Sequence, residues 1–191
     1  MDDNPWVTPA VLEAILADAG RLRFAMSCEA RTGSLLATLA ASKPGGRMVE
    51  LGTGVGAGAA WLLHGMSAES KLVSVEADLK VQAVAAKHLS GDARVSFETA
   101  DVDAWLDGYS GPGFSLAYVD CRPGKFHRLG DLLELLEPGG LYVVDDLLPQ
   151  DTWPDGHQAR VDAFLARVPA VSNLLGTPLR WASGLMVGAR I

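Results

Sequence analysis

Between Met48 and Leu63 the chain runs from a short apolar stretch, through the loop Glu50-Leu51-Gly52-Thr53-Gly54-Val55-Gly56-Ala57-Gly58, into an Ala/Trp/Leu-rich segment. Strand, glycine turn and helix in that order constrain the fold more than any other feature of the sequence. Glycines let the backbone turn sharply and approach a ligand with no Cβ in the way. The helix that follows points its free N–H groups at whatever the loop holds. Glu50 stands two positions before the first glycine, and Glu76 closes the next apolar run, Leu72 to Val75. An acid, a glycine loop and a second acid suggest a nucleoside ligand whose ribose hydroxyls need acceptors.

The rest of the chain alternates in the same way. Strands are predicted at Arg47–Leu51, Lys71–Glu76, Arg94–Thr99, Ser115–Asp120 and Gly140–Asp145. Helices are predicted at Gly56–Gly65, Leu79–Leu89 with Asp78 as N-cap, Val102–Leu106, His127–Leu136 and Gly156–Val168. Strands separated by helices imply right-handed crossovers and a parallel sheet covered on both faces. Two final strands, Leu174–Trp181 and Leu185–Arg190, have only a Ser183-Gly184 turn nearby and should form an antiparallel hairpin at one edge. Upstream, a helix over Ala10–Ala19 is expected, with Thr8 as N-cap, Pro9 as first helical residue and Gly20 at its end. A second covers Ser34–Ala41 behind Thr32-Gly33 and stops at Lys43-Pro44-Gly45-Gly46.

Composition bounds the partners. A chain of 191 residues suits one well-cored domain, here 1–191 with 1–45 as a helical lead-in. A net charge of −7 without a Lys/Arg cluster argues against a nucleic-acid partner. No apolar stretch approaches the ~20 residues that span a bilayer. The start Met1-Asp2-Asp3-Asn4-Pro5 lacks a secretory pattern, so a cytoplasmic protein with Cys28 and Cys121 as free thiols is expected.

Four segments stand in order: Glu50 to Gly58, Val75-Glu76-Ala77-Asp78, Leu116-Ala117-Tyr118-Val119-Asp120, and Leu136 through Pro138-Gly139-Gly140 to Asp145-Asp146. Together they resemble a class I S-adenosylmethionine-dependent methyltransferase, and more narrowly the small O-methyltransferases related to catechol and caffeoyl-CoA O-methyltransferases. Met26-Ser27 and Thr32 to Leu36 resemble that family's helical lead-in. The resemblance implies a Rossmann-like α/β fold with a seven-stranded, mostly parallel sheet of order 3-2-1-4-5-7-6. Strand 7 is antiparallel and helices lie on both faces. It also implies S-adenosylmethionine over the C-terminal strand ends, a small-molecule acceptor and a homodimer. Gly52, Thr53 and Gly54 would border the methionine part, with Met26 and Ser27 beside it. Glu50 would fix the loop or reach the ammonium through water, and Glu76 would accept from the ribose hydroxyls. Asp101 and Val102 would lie by the adenine, with helix capping as the competing role of Asp101.

Asp120 ends strand 4, and Asp145 and Asp146 end strand 5, so three carboxylates should meet at the catalytic edge. In the metal-dependent relatives an Asp and an Asp-Asn pair hold a divalent cation that grips the acceptor, and these three residues match those positions. Mg²⁺ or another divalent cation is therefore a candidate cofactor. Two departures bear on it. Position 146 is Asp rather than Asn, and the Lys expected three residues after the strand-4 Asp is replaced by Pro123. Lys125, beyond the Pro123-Gly124 turn, is then the candidate base alongside Asp120, with His127 and His157 as further candidates. Trp6, Trp153 and Trp181 are candidates for a substrate-facing wall, with ordinary packing as the alternative. Two other functions stay open: a non-catalytic module that binds the cofactor, and a nicotinamide-dependent oxidoreductase, whose fingerprint also fits Gly52, Gly54 and Ala57, or Gly54, Gly56 and Ala59.

Overall fold

The computed structural model describes residues 2–151 and 153–191. Their strands are β1 (Arg47–Leu51), β2 (Lys71–Glu76), β3 (Val95–Thr99), β4 (Phe114–Val119), β5 (Leu136–Val144), β6 (Leu174–Leu179) and β7 (Leu185–Arg190). They form a seven-stranded sheet of order β3-β2-β1-β4-β5-β7-β6. The pairs from β3 to β5 are parallel, and β7 runs antiparallel to both β5 and β6. The expected order and the antiparallel hairpin are both present.

The helices are α1 (Leu12–Arg21), α2 (Ala30–Ala41), α3 (Ala57–Gly65), α4 (Leu79–Leu89), α5 (Val102–Gly108), α6 (Leu129–Leu135) and α7 (His157–Arg167). They cover the sheet on two sides because successive strand residues point to opposite faces. Met48, Leu72, Leu116, Tyr118 and Val143 share one buried cluster with Ile15, Leu36, Leu62 and Val84, which come from α1 to α4. Val49, Val73, Ala117, Val119 and Val144 share the other with Trp105, Leu132, Val161 and Phe164, which come from α5 to α7. A sheet buried on both faces explains why β4 is buried at every position.

Several boundaries differ from the sequence reading. Thr8 and Pro9 precede α1 rather than capping it: the Pro9 carbonyl accepts from Leu12 N–H at 3.0 Å, a turn outside the helix, and Val11 is the N-cap. Gly20 does not end α1, because an isolated glycine weakens a helix without forbidding it. Helix α2 begins at Ala30, so Gly33 lies within it. A Cβ on Gly33 would overlap the Trp61 ring, so this glycine serves close approach of α2 to α3 rather than a helix start. Strand β5 begins at Leu136, because Leu136 pairs with Phe114 before a register shift and Leu141 resumes the ladder with Leu116. That pairing shortens α6 at its C-terminal end.

Candidate active site

The parallel strands end on one edge, and the chain crosses that edge in the loops after β1, β2, β3, β4 and β5. Sheet bonding runs one residue past the strands: Gly52 N–H donates to Val75 O (2.9 Å), Asp120 N–H to Leu51 O (2.9 Å) and Asp145 N–H to Val119 O (3.1 Å). The functional side chains thus leave from a rigid base. The glycine loop turns tightly there. Gly52 has φ +95° and Gly54 φ +52°, the left-handed region that side chains avoid. A Cβ on Gly52 would lie 2.8 Å from the Asp120 carbonyl oxygen, so this glycine also lets β1 and β4 converge.

Glu50 is fully buried behind the loop. Ser74 Oγ donates to its Oε2 at 2.5 Å, and Thr53 Oγ1 lies 2.6 Å from Ser74 Oγ, so the acid is tied to the loop through Ser74. Its Oε1 is buried with no hydrogen-bond partner. Burial pushes its pKa up to about 8, with the Ser74 hydrogen bond opposing and the charge of Glu76 adding. Glu50 borders a small recess shared with Met26, Ser27, Gly52, Thr53 and Gly54. Glu76 Oε2 accepts from Gly54 N–H (2.9 Å) and Oε1 from Asp78 N–H (3.0 Å), which turns the carboxylate toward the loop.

Next to the recess lies a cavity of about 550 Å³ lined by Met26, Gly52, Gly54, Glu76, Asp101, Val102 and Asp120, among others. All but three of the residues read from the sequence as cofactor-binding border it. The exceptions, Ser27, Glu50 and Thr53, border the recess. Asp101 also caps α5, accepting from Ala104 N–H at 3.1 Å, so both roles considered for it coexist. Met26 is 72% exposed on the segment between α1 and α2, not in the core.

A second cavity of about 320 Å³ shares Met26, Asp120, Cys121, Arg122 and Asp146 with the first. Its remaining wall includes Lys125, Phe126, Asp145, Trp153, His157 and Ser183. Asp120, Asp145 and Asp146 do meet here. Asp145 is engaged from behind: its Oδ2 accepts from Tyr118 OH (3.0 Å), and its Oδ1 from Asp146 N–H (2.7 Å) and from Ser183 Oγ. Burial raises the pKa of all three acids, and the charge of the neighbouring carboxylates raises them further. Among the described residues no three acidic, His or Cys groups are arranged to hold a metal ion. With protein donors on both of its oxygens, Asp145 does not present the free carboxylate that the divalent cation suggested by the resemblance would take.

Lys125 enters the site despite its displaced position. It is 2% exposed, and its Nζ donates to the Asp145 carbonyl at 2.9 Å. His157 lines the same cavity, its ring 4.4 Å from Trp153 and 5.3 Å edge-on from Phe126. Burial and the nearby cations, Lys125 foremost, lower its pKa. His127 is turned away, bonded to Asp103 on an exposed surface. Of the three tryptophans proposed for a wall, Trp153 borders this cavity. Trp6 is 96% exposed elsewhere, and Trp181 Nε1 donates to Arg31 O at 3.2 Å. Tyr118, Ser74, Phe126 and Ser183 escaped the sequence reading as site residues. Tyr118 lies inside a recognised motif, but its ring position looks like core, and Ser183 read only as a turn.

A family described as a methyltransferase domain matches residues 49–147, just over half of the chain. The chain belongs to that family. The matched span runs from the glycine loop through Asp145 and Asp146, and so contains most of the site just described. It favours the methyltransferase reading over the nicotinamide one. A protein of Mycolicibacterium vanbaalenii, provisionally named an O-methyltransferase, is 29% identical over 117 residues. That match covers 59% of this chain and 52% of the relative, so the chain spans about half the length of the curated relative it matches. An O-methyltransferase from Bacillus cereus in complex with SAH shares the fold with a TM-score of 0.85 at 19% identity, covering 97% of this chain and 93% of that one. An O-methyltransferase from Streptomyces achromogenes involved in tomaymycin synthesis, in complex with SAM, does so with a TM-score of 0.82 at 21% identity, covering 96% and 91%. Among the described residues no helix is long and apolar enough to cross a membrane.

Proposed function

We propose that this methyltransferase-family chain transfers a methyl group from S-adenosylmethionine to a hydroxyl of a small molecule. The observation that carries the reading is the pair of cavities joined at Asp120, one bounded by the glycine loop and Glu76, the other by Lys125, three carboxylates and an aromatic wall. The residues of the first fit the cofactor. An unpartnered buried oxygen of Glu50, loop backbone free of side chains, and a carboxylate at the end of β2 match an ammonium, a methionine chain and a vicinal diol. When bound, S-adenosylmethionine supplies an activated methyl on a positively charged sulfonium.

The chain's own residues have three tasks. Gly52, Thr53 and Gly54, with Met26 and Ser27, hold the methionine end. Glu50 serves it through its free oxygen. Glu76 accepts from the ribose hydroxyls, and Asp101 and Val102 border the adenine. Phe126, Trp153 and His157 orient the acceptor and exclude water from it, which brings its oxygen into line with the methyl. Lys125 stabilises the oxygen as its O–H bond breaks. Asp120, bordering both cavities, takes that proton as the O–C bond forms; burial raises its basicity above that of a surface aspartate. The products are a methyl ether or ester and the demethylated cofactor.

We propose further that the protein acts in the cytoplasm as a single domain over 1–191 and as a homodimer, a state supported by the family resemblance and measurable by sedimentation. The central test is calorimetry with S-adenosylhomocysteine followed by transfer of labelled methyl to a panel of phenols and hydroxamates. Binding with transfer is expected. Binding without transfer to any acceptor would favour a non-catalytic module. Absence of binding would overturn the reading.

A further inference from the structure

We propose that the acceptor site works without a divalent cation and that the Lys125 ammonium supplies the fixed positive charge there. The proposal rests on the acceptor site of the methyltransferase reading and goes beyond it. Three observations carry it.

The first is the state of the acids. Cation-binding carboxylates present free oxygens to a common point. Asp145, the most buried of the three, instead spends its oxygens on donors fixed in the protein: Tyr118 OH on one, Asp146 N–H and Ser183 Oγ on the other. Asp146 sits at φ +60°, and its N–H donates to Asp145 Oδ1 at 2.7 Å. Among the described residues no metal-holding group of three results.

The second is where the positive charge lies. The Lys125 ammonium is buried, and the only hydrogen bond it makes within the described residues is to a neutral carbonyl, that of Asp145. The face of the Phe126 ring lies 5.0 Å from Nζ. No carboxylate oxygen lies within ion-pair reach, at 4.0 Å or less, among those described. Two of its three N–H donors are thus available to an acceptor oxygen. A bare buried ammonium is costly, but here Asp120, Asp145 and Asp146 offset it at longer range.

The third is that the lysine is held in place. The Pro123-Gly124 turn carries it inward: Gly124 has φ +81°, and a Cβ there would stand 2.9 Å from Leu132 Cδ2. Tyr142 OH donates to Gly124 O at 2.7 Å, and the Arg167 guanidinium donates to Lys125 O (3.3 Å) and Phe126 O (3.0 Å). Strand β5 and helix α7 thus pin the backbone on both sides of the turn. The two-residue displacement of the lysine thus becomes a built feature of the turn. The transfer step would balance without a metal: the acceptor's O–H bond breaks and its proton goes to a carboxylate, the O–CH₃ bond forms as the S–CH₃ bond breaks, and the electron pair of that bond stays on sulfur, which leaves as a neutral thioether.

The test is calorimetric titration of MgCl₂, CaCl₂ and MnCl₂ into the protein with and without S-adenosylhomocysteine. The wild type is expected to show no saturable binding at millimolar cation. Lys125→Met, which leaves the acids uncompensated, is expected to gain one saturable site that a further Asp145→Asn removes. Lys125→Gln serves if the Met variant does not fold. One-site binding to the wild type that Asp145→Asn abolishes would overturn the proposal. So would a folded Lys125 variant that takes up no cation, since the lysine would then not be standing in for one. Failure of the wild type to bind S-adenosylhomocysteine would strike the methyltransferase reading alone, because the cation titration reads out without it.

Discussion

At the level of single residues, the cofactor cavity depends on a few atoms whose removal has separable effects. Glu76 touches Gly54 and Asp78 through different oxygens and still has lone pairs to offer a diol. Losing charge-assisted bonds to both ribose hydroxyls should cost roughly 1.5–3 kcal/mol. Glu76→Ala is therefore expected to weaken S-adenosylhomocysteine binding about ten-fold or more by calorimetry, and unchanged affinity in a folded variant would remove the ribose role. Gly54→Val should be harsher. Its φ is +52°, and the added Cβ would sit 3.2 Å from Phe24 Cζ before the branch is counted. A folded protein with no measurable cofactor binding is expected, and retained binding would put the cofactor elsewhere.

At the level of elements, two attachments outside the sheet hold the site's walls. Helix α1 docks on α4 through Asp18, which is buried and accepts from Lys87 Nζ (2.5 Å), His88 Nε2 (2.8 Å) and Arg21. Lys87, then His88 and Arg21, hold the Asp18 carboxyl well below the usual carboxylate range. The folded state thus favours the ionised form. This contribution is full above the unfolded pKa of about 4 and fades as pH falls through and below it. Asp18→Asn should lower Tm at neutral pH, and its gap from the wild type should close below about pH 4. A gap that persists in acid would mean that packing, not charge, is what Asp18 provides. On the other side, Tyr142→Phe leaves the Gly124 carbonyl unpartnered. It should cost about 1–2 kcal/mol in urea unfolding. Because the loop it frees carries Lys125, turnover should fall more than the loss of stability explains.

Across the whole molecule, the active edge gathers buried acids at the expense of stability. Glu50 has a pKa of about 8 when folded against an ordinary 4.5. Between those values the folded state holds a proton that the unfolded state has lost, so stability falls as pH rises through that window. The slope is about 1.4 kcal/mol per pH unit for one group, and the raised carboxyls of Asp120, Asp145 and Asp146 act in the same direction. Glu50→Gln is expected to flatten the decline between about pH 5 and 8 in denaturation of the cofactor-free protein. An unchanged slope would show that Glu50 is already ionised in the fold. A concentration of acids with raised pKa values at these cavities fits the common pattern in which sites give up stability for function.

Most of the architecture was legible in the sequence because it is written locally. Continuous apolar runs mark the buried strands, clustered glycines mark the loop after β1, and acids at Glu50, Glu76, Asp120 and Asp145 mark strand ends. Each of these rests on neighbouring residues alone, and the resemblance supplied the strand order that local pattern cannot. Helix starts near Thr8 and Gly33 were misread because glycine and proline there answer to packing and turns rather than to helix limits. The working partners of the acceptor site are decided only in three dimensions. Ser183 reaches Asp145 from 38 residues away, and Lys125 reaches the Asp145 carbonyl from 20. Nothing in the local sequence specifies those meetings. They exist because β5 lies between β4 and β7, so that the loops following β4 and preceding β7 flank one strand end. Whether Asp145 presents free oxygens is set by that assembly, since Tyr118, Ser183 and the Asp146 amide occupy them.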